Sequence, residues 1–149
     1  MDNMNKKEYQ KYSEKKVPKP TYLKNIIFAF LVGGAICTVG QLLKNWMVRH
    51  GLDEKAVAAG TSIILVFLGA FLTGLGVYDK IGKIGGAGAA VPITGFSNAV
   101  VAPAMEFKTE GFIFGVASKM FTIAGPVLVY GVGSSVIVGI LHLLFTKGR

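Results

Sequence analysis

Four stretches of this chain are almost free of charge: Asn25 to Leu43, Ala56 to Tyr78, Ile84 to Met105, and Gly111 to Thr146, where Lys119 stands alone. Spans of nineteen and twenty-three uncharged residues are close to the ~20 that a helix needs to cross a ~30 Å hydrocarbon core. Hydrophobic residues make up 52 % of the chain against 16 % charged, and the mean hydropathy is +0.53, too apolar for an ordinary soluble surface. The expectation is an all-α integral membrane protein with about four membrane segments. A basic tail, 1–24, precedes a membrane domain, 25–149. Within that domain the reading places spans at 25–43 and 56–78, a broken segment at 84–105, a short helix at 111–120 and a last span at 123–145.

The third stretch is unlike the others, because it holds Gly85, Gly86, Gly88 and Gly95 together with Pro92 and Pro103. Proline has no backbone N–H and disfavours helix in the residue before it, so the carbonyl of Gly88 loses its helical partner. In hydrocarbon an orphan of this kind costs several kcal/mol, and broken backbone survives only inside protein or against a water-filled cavity. One reading makes this segment part of a permeation or ligand path, with Asp79 and Lys83 at its mouth and Asn98 within it. The other is a Gly-rich helix packed tightly in a bundle. Asp79 is open in the same way, as a helix cap, a lysine partner or part of the entrance.

Small residues recur at helical spacing in each long run: Gly33, Cys37 and Gly40; Gly69, Thr73 and Gly76; Gly131, Ser135 and Gly139. Such faces let helix backbones approach closely, and Gln41 beside the first is a hydrogen-bonding partner for a neighbouring helix or a transport residue. Lys119 is a cation inside a long apolar run. It either snorkels to the interface, pairs with an acid, or faces water where an anion passes.

The net charge of +8 concentrates in the tail, where seven of the sixteen Lys and Arg residues precede residue 25. That placement favours an anionic membrane surface over nucleic acid as partner. Lys6 to Val17 reads as a weakly amphipathic interfacial helix stopped by Pro18-Lys19-Pro20, or as a disordered basic leader. The polar opening does not match a cleaved signal peptide, so the first apolar run is expected to remain as an anchor. With four crossings one side receives eleven basic residues and the other four, which puts both termini in the cytoplasm. Three crossings, with the Gly-rich segment re-entrant, fit the count less well.

Cys37 is the only cysteine, which excludes an intrachain disulfide and a cysteine-based metal cluster. His50, Asp53 and Glu54 lie in a polar loop that offers no ligand geometry, Trp46 suits an interfacial anchor, and His142 falls near the end of the last run. No nucleophile, acid–base pair, phosphate loop or metal cage is recognisable, so no enzyme activity, catalytic residue, metal or cofactor is expected.

Ala29 to Cys37 with Asn25, Gly40-Gln41, Leu72-Thr73-Gly74, Gly76 to Asp79, Glu110-Gly111 and above all Gly85 to Asn98 resemble the SpoVA proteins of endospore-forming bacteria, of the SpoVAC/SpoVAEB type. The similarity extends from about Tyr9 to Phe145. It implies a multi-pass protein of the inner spore membrane that takes up dipicolinic acid, largely as its calcium chelate, during sporulation and releases it on germination. It also implies partners, the soluble AD protein and the AE-beta membrane subunit, and a response to membrane tension. No functional residue is carried over by it. A dianionic solute would favour basic side chains, helix N-termini and free N–H groups, which Lys83, the 85–95 stretch and Lys119 could supply. The alternative function is a scaffold that assembles the complex without itself forming the pore.

Overall fold

A computed structural model describes residues 6–16 and 21–146, and the chain is all-helical across them. Pro18-Lys19-Pro20 lies outside the described residues, as do Val17 and the terminal Lys147 and Arg149 of the charge count. Helix α1, Lys6–Lys16, is exposed, with Tyr9 and Tyr12 uncovered and the Lys16 ammonium over the Tyr12 ring.

Helix α2, Tyr22–Arg49, and helix α3, Glu54–Gly74, are both long and apolar enough to cross a membrane. The first outruns its uncharged core at both ends. Its 28 residues rise ~42 Å at 1.5 Å each. Tyr22 to Lys24 and Lys44 to Arg49 therefore extend into the headgroup layer, where long basic side chains can keep their charge in water. Gly51, at φ +79°, ends the turn after α2, and Glu54 places its carboxylate in the first turn of α3, where the helix dipole favours it. Met47 closes this end of the pair by lying against Gly60, where an added Cβ would come within 2.6 Å of its Cε. Val57 beside them is 1 % exposed.

The second span ends at Gly74 rather than at Tyr78. Gly76 takes φ +67°, a conformation that side chains resist, and the chain turns there. Tyr78 then opens a new element. The Gly-rich stretch is broken twice, giving α4, Tyr78–Gly85, α5, Ala87–Ala90, and α6, Ile93–Glu106. Gly86 makes the first break at φ +50° and ψ −124°, and Pro92, extended at ψ 161°, makes the second. Helices α4 and α5 lie against α2, whereas α6 lies against α3. Gly88 meets the backbone of Ala29 so closely that a Cβ has no room.

A 3-10 turn, Phe107–Glu110, and a π-helical turn, Phe112–Ala117, lead into α7, Ser118–Thr146. Where the sequence suggested a short helix at 111–120 apart from a span at 123–145, helical structure continues from Phe112 to Thr146, the third candidate span. Pro126 removes one backbone donor and the helix passes through it. The early part of α7 packs on α6, but every residue from Pro126 to Thr146 is exposed in the single chain.

These contacts predict opposite outcomes for two equal substitutions. Gly88→Leu forces α5 off α2 and should cost about 3 kcal/mol, read as a lower unfolding temperature in detergent. Gly131→Leu, with nothing within 4 Å of its added Cβ, should leave the unfolding temperature of the isolated chain unchanged. Equal losses for the two would contradict this packing.

Candidate functional site

The double break leaves backbone groups that a continuous helix would have closed on itself. Ile93, the residue whose N–H would have reached the Ala89 carbonyl, lies beyond the Pro92 break. That carbonyl instead accepts from the Tyr78 hydroxyl at 2.8 Å. Tyr78 is 3 % exposed, and its oxygen is also 2.7 Å from Thr94 Oγ1. The carbonyl can only accept, so the phenolic proton goes to Ala89 and the Thr94 hydroxyl supplies the other bond. Tyr78 thus ties the start of α4 to the end of α5 and the first turn of α6.

The next turn of α6 is fastened to α3. Ser97 donates to the Val66 carbonyl at 2.8 Å, and Thr73 Oγ1 donates to the Gly69 carbonyl at 2.6 Å while lying 2.8 Å from the side-chain amide of Asn98. Gly69 is what allows this approach, since a Cβ there would stand 2.7 Å from the Thr94 carbonyl. Thr73, Thr94 and Ser97 are buried. Among the described residues no buried side-chain nitrogen or oxygen is left without a partner. The cradle of Thr73, Tyr78, Thr94, Ser97 and Asn98 is therefore a closed set of hydrogen bonds, and its direct effect is to hold a broken backbone in one shape.

The residues expected around a path divide into two groups. Gly85, Gly88 and Gly95 are close-approach positions, against Val32, against Ala29 and against the carbonyls of Ala89 and Ala90 respectively. Gly86 and Pro92 make the breaks, and Asn98 belongs to the cradle. Asp79 is exposed in the first turn of α4, where the helix dipole favours a carboxylate. Lys83 is exposed on the same helix and lines a cleft of about 390 Å³ between α4–α5 and the N-terminal half of α2. Lys119 is elsewhere. Half-buried near the start of α7, it holds its ammonium 3.7 Å from the centre of the Phe107 ring, a cation–π contact beside the charged turn Glu106–Glu110. The two lysines do not converge on one site in the single chain. Val91, at the second break, is 83 % exposed, so α2 and α3 cover only the inner side of the broken segment.

Of the small-residue positions, Gly33 faces Gly88, Gly40 faces Leu65, and Gly69 and Thr73 face α6. Cys37 is exposed, Gly76 forms the turn after α3, and among the described residues Gly131 and Gly139 have nothing within 4 Å of an added Cβ, while Ser135 is exposed. Gln41 bonds Asn45 on its own helix at 2.8 Å. Sequence reasoning missed Tyr78, Thr94 and Ser97 as a set. The available signal was the polar spacing Thr94, Ser97, Asn98, which lies on one face of a helix in an otherwise apolar stretch. Tyr78→Phe keeps the ring and removes the hydroxyl, leaving two buried partners open. It should cost about 1–3 kcal/mol, seen as a lower unfolding temperature, whereas Thr122→Val, which removes an exposed bond within α7, should change little. An unaltered Tyr78→Phe protein would show that the cradle does not hold the break.

With the geometry in place, known proteins supply the context. The chain is 44 % identical over 143 residues to stage V sporulation protein AC of Bacillus subtilis (strain 168), a match that covers 95 % of each sequence. No solved structure matches it. Residues 25–141, which take in α3 to α6 and nearly all of α2 and α7, match the SpoVAC/SpoVAEB sporulation membrane protein family. The broken segment, its cradle and the three long apolar helices all fall within that range, and the chain belongs to the SpoVAC/SpoVAEB family of sporulation membrane proteins.

Proposed function

We propose that this chain is a subunit of a membrane conduit for a small anionic solute. On the strength of the family resemblance we take that solute to be dipicolinic acid, as its calcium chelate, taken into the forespore during sporulation and released in germination. The observation that carries the proposal is a backbone broken at Gly86 and at Pro92, between helices that span a membrane, and held by five hydrogen-bonding side chains. A bundle needing only mechanical strength has no use for such a break, since each interruption must be compensated at membrane depth. An interrupted helix places backbone dipoles and N–H groups where an anion can meet them. In this reading the 85–95 stretch and Lys119 contribute to the path. The residues carry no catalytic role, and the setting is the inner spore membrane.

One feature argues against a pore within one chain. Among the described residues the buried polar side chains are all satisfied internally, and α7 from Pro126 to Thr146 is exposed together with Val91. The conduit in this reading forms between chains, with copies of this protein or the AE-beta membrane subunit covering those surfaces. If the chain only anchors the others, flux passes elsewhere.

Dipicolinate flux into liposomes separates the two. The chain reconstituted with its membrane partner should pass dipicolinate in preference to a neutral solute of similar size. Lys119→Met, which keeps most of the stem and removes the charge, should lower dipicolinate flux severalfold at equal protein level and alter neutral flux less. Unchanged dipicolinate flux in that variant would return Lys119 to a snorkelling residue that rests on Phe107. Full flux from the partner without this chain would favour the scaffold.

A further inference from the structure

The cleft that Lys83 lines has both polar and apolar walls. Tyr22, Asn25 and Lys83 supply a phenol, an amide and an ammonium, and Ile26, Ala29 and Ile84 supply the apolar wall. The Asn25 side-chain oxygen already accepts weakly from Thr21 at 3.4 Å, which leaves its amide N–H groups to donate. Lys83 makes no hydrogen bond or ion pair among the described residues. Asp79, one turn earlier on α4, is not part of the lining, while Lys80 lies on the same helix and Lys24 next to the cleft on α2.

The depth of the cleft follows from α2. Tyr22 and Asn25 stand at the start of the apolar run, so the mouth lies at the headgroup layer and Ile26 and Ala29 lie just below it, among acyl chains. Tyr22, 72 % exposed, suits that interface. A small soluble anion gains less from the apolar wall than an amphiphile, whose acyl chain and headgroup use both parts.

We infer that the cleft between the N-terminal half of α2 and α4–α5 binds an anionic phospholipid. The phosphate meets Lys83, Asn25 and Tyr22, and the upper acyl chain lies along Ile26, Ala29 and Ile84. The site is immediately beside the contacts of Gly85 with Val32 and Gly88 with Ala29 that seat the broken segment on α2. The lipid thereby fills the seam between a spanning helix and the interrupted one.

The test reconstitutes the full-length protein in nanodiscs of equal phosphatidylglycerol and phosphatidylcholine, extracts it in mild detergent and measures retained lipid by mass spectrometry. The protein should retain phosphatidylglycerol over phosphatidylcholine. Lys83→Gln should reduce that preference about fivefold, the factor that corresponds to about 1 kcal/mol for one lysine at an anionic surface. Lys55→Gln removes the same charge from the first turn of α3, away from the cleft, and should leave the preference intact. Ile26→Trp fills the cleft without altering charge and should lower retention of both lipids. Equal preference in Lys83→Gln and the parent protein overturns the assignment, as does an equal loss in Lys55→Gln. Should Lys83→Gln fail to fold, undiminished retention in Ile26→Trp overturns it instead. Displacement of phosphatidylglycerol from the parent protein by millimolar dipicolinate or inorganic phosphate would give the cleft to a soluble anion and likewise overturn the lipid site.

Discussion

A peptide carbonyl left open in hydrocarbon costs several kcal/mol, and at Ala89 the Tyr78 hydroxyl prevents that cost. Much of the membrane domain follows from this one bond. To reach Ala89 the Tyr78 ring must be enclosed, which requires α4 to turn back from the end of α3 at Gly76. The same hydroxyl fixes Thr94, so the first turn of α6 is set relative to α5. Once α6 is set, Ser97 and Asn98 find their partners on α3, and Gly69 must lack a side chain for the two backbones to meet. The glycines and the hydroxyls serve one purpose. The former allow close approach and the latter satisfy what the approach and the breaks leave open.

Elements that depend on the solvent were legible in the sequence. A long uncharged run must be helical in lipid whatever its neighbours are, and the three spanning helices appear where those runs lie. The break was legible for a local reason as well, because Pro92 and the glycines around it act on their own backbone. Helix ends were less so. Lys24, Lys44 and Arg49 look like boundaries to a count of charges, yet long basic side chains can reach water from inside a helix, and α2 runs past them. Tertiary partners could not be read at all. Tyr78 looks like the interfacial end of a span until Ala89 and Thr94 are seen around it. Spacing also misleads in one respect: Gly69–Thr73 and Gly131–Ser135 share the same interval, but within one chain only the first pair meets another helix.

The two singled-out lysines show how placement changes meaning. Each stood out as a cation beside apolar sequence. Lys119 has a partner in the Phe107 ring and sits by a charged turn, which lessens the cost of burying its stem. Lys83 opens onto a cleft with apolar walls at the level where α2 enters the membrane. A conduit that uses Lys119 must complete its wall with further copies or partner subunits. The exposed length of α7 and the uncovered bend at Val91 are the surfaces on which that assembly would occur.

The central claim is that the second break, at Val91 and Pro92, turns away from bulk lipid in the assembled protein although one chain leaves it uncovered. Spin labels report this directly through collision with oxygen, which concentrates in the bilayer, and with a water-soluble nickel chelate. In a background where Cys37 is replaced by serine, a label at Val91 should collide mainly with the nickel chelate or with neither reagent. A label at Val136 on α7 supplies a lipid-depth or interface reference in the same particle. Oxygen-dominated collisions at Val91, at the level of a lipid-facing helix, would mean that the break faces hydrocarbon and would contradict the account.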